Sequence, residues 1–343
     1  MTPDILTAQL TAVLFAAAPL ILAALGETVA ERAGVINLSL DGTMLFAAMV
    51  AFAGARASGD AWLGLAAGAG AGLAVAGVLA LLGLVLGASE LAVGFILTLF
   101  CRELAYFLGH GLARQPGPDL GVLAIPGLDA LPLLGRAVFR QSPVVLLSVL
   151  AVAGVWYFLM RTRPGLLLRA VGESPSAALA RGLPAKRVQV LACLAGGALA
   201  GLGGACYSLS VKPGWGHPQG CEGAGWIVLA IVIFGGWRPV RVALGALFFA
   251  AIQVAGILLQ DVLPGLSGTL FQIAPFPVMI LTLLVVNARR WRPFARRPDG
   301  CPCSDASCRA RPAARPVPLS VPWTKGSRSV IPDQPVARSG RLR

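Results

Sequence analysis

The chain has 343 residues, 57% hydrophobic and 13% charged, with a mean hydropathy of +0.78. Soluble domains carry about 45–50% apolar and about 25% charged residues. An ordinary soluble enzyme, a disordered chain and a nucleic-acid module are therefore excluded as the main reading. A polytopic membrane protein remains, in which long apolar runs recur along the chain.

The formal net charge of +13 is unevenly placed. Residues 287–343 hold 13 Lys and Arg against 3 Asp, whereas the preceding residues hold 15 basic against 12 acidic side chains. A basic tail after the last apolar run reports cytoplasmic placement rather than nucleic-acid binding. Residues 1–287 are thus read as a transmembrane domain. Residues 288–343 are read as a basic, Pro/Arg-rich, disordered cytoplasmic tail. Of seven cysteines, Cys101, Cys193 and Cys206 sit in apolar runs as small hydrophobes. Cys301, Cys303 and Cys308 match no standard zinc spacing and have no His nearby, so no metal site is expected. No basic region precedes the first apolar run, so a cleaved signal peptide is not expected.

In chain order, the first apolar run covers 6–25 and ends in a polar stretch, Gly26 to Arg32. The second, 34–53, carries Asn37, Ser39 and Asp41 in its first third. The third, 62–87, repeats Gly64, Gly68 and Gly72 every four residues, which allows close helix approach. The fourth, 91–108, contains Arg102-Glu103, and a Pro/Gly-containing loop follows over 110–142. The fifth is 143–160. The loop 161–187 then sets six Lys and Arg against Glu173 alone. The sixth run, 188–210, is rich in glycine. The seventh, 225–237, is only 13 residues. At about 1.5 Å per residue it cannot cross about 30 Å alone. It must borrow flanking residues, meet a thinned bilayer or be re-entrant. The eighth is 242–259 and the ninth 270–286.

The fold expected is all-α, with about nine transmembrane segments including a broken or re-entrant helix. Basic loops orient it. The loop 161–187, the turn 238–241 and the tail lie inside, which places the N-terminus outside and the C-terminus inside. The first inside loop, 27–32, is net acidic and fits this rule poorly. Trp62, Trp156, Trp226, Trp237 and Trp291 fall near segment ends, as interface anchors do.

None of the three lysines is followed by Ser or Thr, so the chain has no Walker A loop. His110 and His217 lie in expected external loops and read as solvated surface. No catalytic residue is assigned. Within 165–187, Ser174 followed by Pro175 reads as an N-cap with proline at the first helical position. Gly182 reads as the C′ stop, and Pro184 blocks resumption. A short capped helix between basic stretches suits docking into a groove of a soluble partner; the alternative is a mere connector.

These residues resemble a family. Arg169 to Ala178 followed by Gly182-Leu183 is similar to the cytoplasmic coupling loop, approximately R-A-x-G-x-N-P-x-A-A-x-x-x-G-I, of ABC importer permeases of the ribose, nucleoside and branched-chain amino-acid type. Ser174 replaces Asn and Leu183 replaces Ile. Glu31 to Gly42 resembles the pattern E-R-x-G-V-x-N-L-x-x-E-G, with Asp41 for Glu. Trp226 to Pro239 resembles a motif of the nucleoside, or simple-sugar, branch. The resemblance spans about residues 5–287. It implies a non-catalytic pore subunit that translocates nucleosides or related ribosides and sugars across the bacterial inner membrane. ATP and Mg²⁺ would be bound by separate ATPase chains, with no cofactor on this one. The implied partners are those ATPases, a second permease subunit forming a heterodimeric pore, an extracytoplasmic solute-binding protein and the lipid bilayer. Gly172, Glu173, Ser174, Pro175, Ser176, Ala177, Ala178, Leu179, Arg181 and Gly182 would form the ATPase-coupling helix.

Asn37, Ser39 and Asp41 would be costly facing lipid. They either line the pathway with Phe95 and Thr98 or satisfy backbone groups around Gly34 and Gly42. Arg102 and Glu103 are adjacent and cannot share a helix face. The alternatives are the same importer class with another small polar solute (a sugar or branched-chain amino acid), an ion-coupled secondary transporter, or a membrane-embedded enzyme.

Overall fold

The structure is a computed structural model that describes residues 3–121, 123–124, 140–262 and 277. The expected ninth segment, the tail, Trp291 and Cys301, Cys303 and Cys308 lie outside the described residues.

The described chain is helical apart from one two-residue antiparallel pairing, Leu123–Ala124 with Arg140–Gln141. The helices are α1 (Pro3–Arg32), α2 (Leu40–Ser58), α3 (Ala61–Leu79, continued as a π-helix over Ala80–Val85) and α4 (Glu90–Gly109). After the pairing come α5 (Pro143–Arg161), α6 (Arg163–Glu173), α7 (Pro175–Ala180), α8 (Ala185–Cys206, continued as a π-helix over Tyr207–Val211), α9 (Ala224–Gly235) and α10 (Pro239–Val262). Among the described residues, seven of these are long and apolar enough to cross a membrane; α9 is shorter, at 12 residues.

Two expected boundaries change. The polar stretch 26–32 is no loop but the end of α1. Two of its polar groups find partners without leaving the helix: the Thr28 hydroxyl donates to Ala24 O at 2.7 Å, and Glu27 Oε1 accepts the Asn37 amide at 3.2 Å, while Glu27 Oε2 is buried without a partner. The second helix starts at Leu40 rather than near Gly34. Gly34, at φ +84°, turns the chain there. The Asn37 side-chain oxygen accepts from both the amide and the hydroxyl of Ser39. Such a side-chain turn competes with helix and delays its start.

α8 is the packing hub. One of its faces is built of Gly196, Gly197, Gly201, Gly203 and Gly204, so three neighbouring helices come within backbone contact. Gly196 meets Gly26 of α1, Gly203 meets Pro19 and Ala23, and Gly204 meets Met44 of α2. Gly197 and Gly201 meet Gly72 of α3, the last member of the four-residue glycine repeat. In lipid, where apolar surface gains little by burial between helices, such close van der Waals packing drives association. The main core, with Leu20, Leu25, Met44, Phe52, Ile231 and Phe249 fully buried, lies on the opposite side of α1 and α2 against α9 and α10.

Candidate functional site: a broken crossing, its cavity and a capped helix

α9 does not stand alone. The segment before it runs along α4 as an irregular strip of bends and turns. Trp215 packs beside Gly109, and its carbonyl accepts the Arg114 amide at 3.0 Å. The Tyr106 ring stacks on Trp215 and His217, with centroids 5.7 and 4.4 Å apart. The Gln219 amide reaches the Tyr106 hydroxyl at 3.5 Å, and Glu222 pairs with Arg102 at 3.7 Å. The Gly225 amide then donates to Asp41 Oδ1 at 3.0 Å. Residues 215–223 thus run alongside positions 109, 106 and 102 of α4, two helical turns, before α9 begins.

The N-terminus of α9 therefore lies against α2. Gly223 is left-handed (φ +77°) and opens the helix, and Gly225 lies so close to the Asp41 backbone that no side chain fits there. The carboxylate meets orphan N–H groups and the positive end of the helix dipole. It is 7% exposed.

Asp41, Arg102, Tyr207, Glu222, Trp226 and Gln253 line a cavity of about 410 Å³. Its walls combine an acid–base pair, a carboxylate, a phenol, an indole and an amide, a set able to hydrogen-bond hydroxyl-bearing solutes and to stack on a planar ring. Of the residues selected from sequence, Asp41 lines this cavity. Asn37 and Ser39 are buried in the turn before α2, where Ser39 also meets the Thr43 hydroxyl at 3.2 Å. Thr98 is buried and donates to Leu38 O at 2.6 Å. Phe95 is 50% exposed and sits seven residues before Arg102, on the same face of α4. Sequence reasoning did not select Tyr207, Glu222, Trp226 and Gln253. The one available signal was Arg102 within an apolar run, which required a partner.

At the other end of α9, Gly236 closes the helix and Trp237 returns to α1. Its indole N–H donates to the Glu31 carboxylate, and its carbonyl accepts from Arg32 Nε at 2.9 Å. The segment 161–187 lies at this end of the bundle, because Gly172 abuts the carbonyl of Arg32. The expected single helix is two. The first, α6, is capped by Thr162, which accepts the Gly165 amide at 3.2 Å, and it buries Leu168 and Val171. The second, α7, has Ser174 at its N-cap, accepting the Ala177 amide at 3.4 Å, and Pro175 in its first turn. Gly182 (φ +75°) ends it, with the Leu183 amide returning to Ala178 O at 3.0 Å. Ala178 is 5% exposed and packs on Val171 and Ala185. Glu173, Ser176, Ala177, Leu179, Arg181 and Gly182 are exposed, and Leu179 is 50% exposed. α7 thus offers an apolar knob between an acid and a base.

Seven described helices long and apolar enough to cross a membrane, a half-helix entered through a strip packed on α4, a polar cavity at the join, and a capped surface helix define a membrane permease. The chain belongs to the family described as "Branched-chain amino acid transport system / permease component", whose profile matches residues 9–283. It is 39% identical over 248 residues to TsgC13 of Haloferax volcanii, provisionally named a glucose ABC transporter permease, covering 71% of this chain and 75% of that one. It is 32% identical over 317 residues to the guanosine ABC transporter permease NupQ of Bacillus subtilis (87% and 97%) and 30% identical over 297 residues to the nucleoside ABC transporter permease NupC of Lactococcus lactis (82% and 92%). No solved structure matches. The chain is a multi-pass membrane protein and the non-catalytic permease subunit of an ABC importer.

Proposed function

We propose that the chain imports nucleosides or related simple sugars across the bacterial inner membrane. It does so as one half of a pore with a second, related permease chain. An extracytoplasmic binding protein delivers the solute, and ABC ATPase subunits, which hold the ATP and Mg²⁺, drive the cycle. The observation that carries this reading is the cavity at the α2–α9 join. Asp41, Glu222 and Gln253 suit ribose hydroxyls, and Trp226 and Tyr207 suit a base. The names of the nucleoside and sugar permeases it resembles support the same solute class.

In this reading the chain crosses about nine times, with the N-terminus outside and the C-terminus inside. The basic segment 161–187 and the turn 238–241 face the cytoplasm. Residues 172–182 receive the ATPase stroke through exposed Leu179, and Gly172 passes it to the end of α1. Asp41 and the α4 face bearing Phe95 and Arg102 border the pathway. Asn37, Ser39 and Thr98 hold the turn that positions Asp41.

The test is uptake by vesicles holding this chain with its partner permease, ATPase and binding protein. ATP-dependent uptake of labelled inosine, reduced by cold guanosine and not by glucose, supports a nucleoside. Uptake of glucose alone moves the substrate to sugars. Uptake driven by an ion gradient without the ATPase overturns the importer reading.

A further inference from the structure

At the end of the bundle that carries the coupling segment, a second cavity of about 510 Å³ opens between helix ends. It is lined by Arg32 from α1, Trp156 and Met160 from α5, Arg169 from α6, and Arg238, Pro239, Val240 and Arg241 where α10 begins. Four guanidinium groups therefore converge on one pocket. Among the described residues no carboxylate lines the pocket or forms an ion pair with these arginines, and Glu173 acts on Arg32 only from a distance. Among the described residues the one ion pair is Arg102–Glu222, and the nearby Glu31 is already engaged by the Trp237 indole. Arg32 spends only its Nε, on Trp237 O, and Arg169 Nε is buried with no hydrogen-bond partner. A buried unpaired donor is costly unless something fills the site. The start of α10 adds the unpaired N–H groups of a helix N-terminus.

The pocket is only half polar. Trp156, Met160 and Val240 form its other wall. One turn further into the bilayer from Val240 lies Leu244, and seven residues before Trp156 lies Val149, both more than half exposed. A cationic pocket at the ends of three membrane-crossing helices, continuing into an exposed apolar face, matches an amphiphile whose anion sits at headgroup level. Basic pockets between transmembrane helices bind such headgroups. Guanidinium groups bind phosphate oxygens through paired, planar contacts.

We propose that this pocket holds the phosphate of an anionic phospholipid, with the acyl chains lying along α5 and α10. The single negative charge of the bound lipid offsets part of the charge that Arg32, Arg169, Arg238 and Arg241 bring together. Because Arg169 belongs to α6, it also ties the segment carrying α7 to the membrane-crossing helices. This second role rests on the proposed coupling function of α7; lipid binding itself does not.

The experiment is native mass spectrometry of the full chain in detergent, titrated with phosphatidylglycerol or phosphatidylcholine. Wild type should retain phosphatidylglycerol preferentially. Each arginine near an anionic lipid contributes about fivefold, so R169Q/R238Q/R241Q should lose on the order of a hundredfold and fall to the phosphatidylcholine level. R169K/R238K/R241K, which keeps the charge but not the paired contacts, should retain part of the binding and controls for folding. Lys186→Gln removes an exposed charge at the same end, outside the pocket, and should change nothing. Equal retention of the two lipids, or an unchanged triple Gln variant, overturns the proposal. Displacement of phosphatidylglycerol by millimolar inorganic phosphate would assign the pocket to a soluble anion, and displacement by the docked ATPase would assign it to an acidic protein surface; either overturns the lipid. Ablating α7 leaves this binding intact, so failure of the coupling reading is separately visible.

Discussion

The Asp41 carboxylate accepts the Gly225 amide at 3.0 Å, fastening the first turn of α2 to the first turn of α9 across 184 residues of sequence. Two motifs that look unrelated in the chain, Glu31–Gly42 and Trp226–Pro239, thus build one join. They meet again at their far ends, where Trp237 contacts Glu31 and Arg32. α9 is held at both ends by the same stretch of α1 and α2.

Removing the acceptor tests the join. Asp41→Ala leaves the α9 N-terminus without its charge-assisted bond and is expected to cost about 1.5–3 kcal/mol. Asp41→Asn keeps an oxygen in place and should retain most of the stability. Thermal unfolding of the purified chain reads the difference. If Asp41 also touches solute, Asp41→Asn will still lower uptake while folding normally.

The Arg102–Glu222 pair spans the strip and α4 at 3.7 Å. Arg102→Glu and Glu222→Arg should each reduce uptake severalfold, and the double exchange should recover part of the loss. Uptake at matched membrane abundance measures it. No recovery would mean that each residue acts alone, as two solute contacts would.

Glycine packing gives a steric prediction. A side chain at Gly72 or Gly201 meets the backbone of the other helix, whereas one at Gly70 meets nothing within 4 Å. Gly201→Val should cost about 1–3 kcal/mol or more through overpacking and lower the yield of folded chain. Gly70→Ala should be neutral or slightly stabilising. Fluorescence-detected size-exclusion profiles after heating distinguish them.

Much of this was legible because local chemistry coincided with final structure. Ser174-Pro175 and Gly182 cap a helix wherever they occur, and α7 has those ends. The short seventh run had too few residues to cross alone, and α9 is a helix of only 12 residues. Other features needed tertiary information. Glu27 and Thr28 look like loop residues, but they lie inside a helix, where the Asn37 amide reaches one Glu27 oxygen and the Ala24 carbonyl takes the Thr28 hydroxyl. The Leu166–Val171 run of α6 lay hidden in a segment read as a basic loop, although Thr162-Arg163-Pro164 is a start signal of the same kind as Ser174-Pro175. The cavity drew Tyr207, Glu222 and Gln253 from three distant stretches, and no spacing in sequence links them.

The cap of α7 makes a graded prediction. Ser174→Ala should cost about 1 kcal/mol of local helix stability, and Ser174→Asn, another good cap, almost none. Solute-stimulated ATP hydrolysis by the assembled complex should fall modestly for the first and stay unchanged for the second.

The most direct measurement of the central claim is copurification of the ATPase with wild type, Leu179→Asp and Leu166→Asp, scored by ATP hydrolysis stimulated by the inosine-loaded binding protein. Leu179 and Leu166 are both exposed leucines of the 161–187 segment, on α7 and α6. The account predicts that Leu179→Asp abolishes stimulation and weakens the complex while Leu166→Asp preserves both. Full stimulation by Leu179→Asp would contradict it.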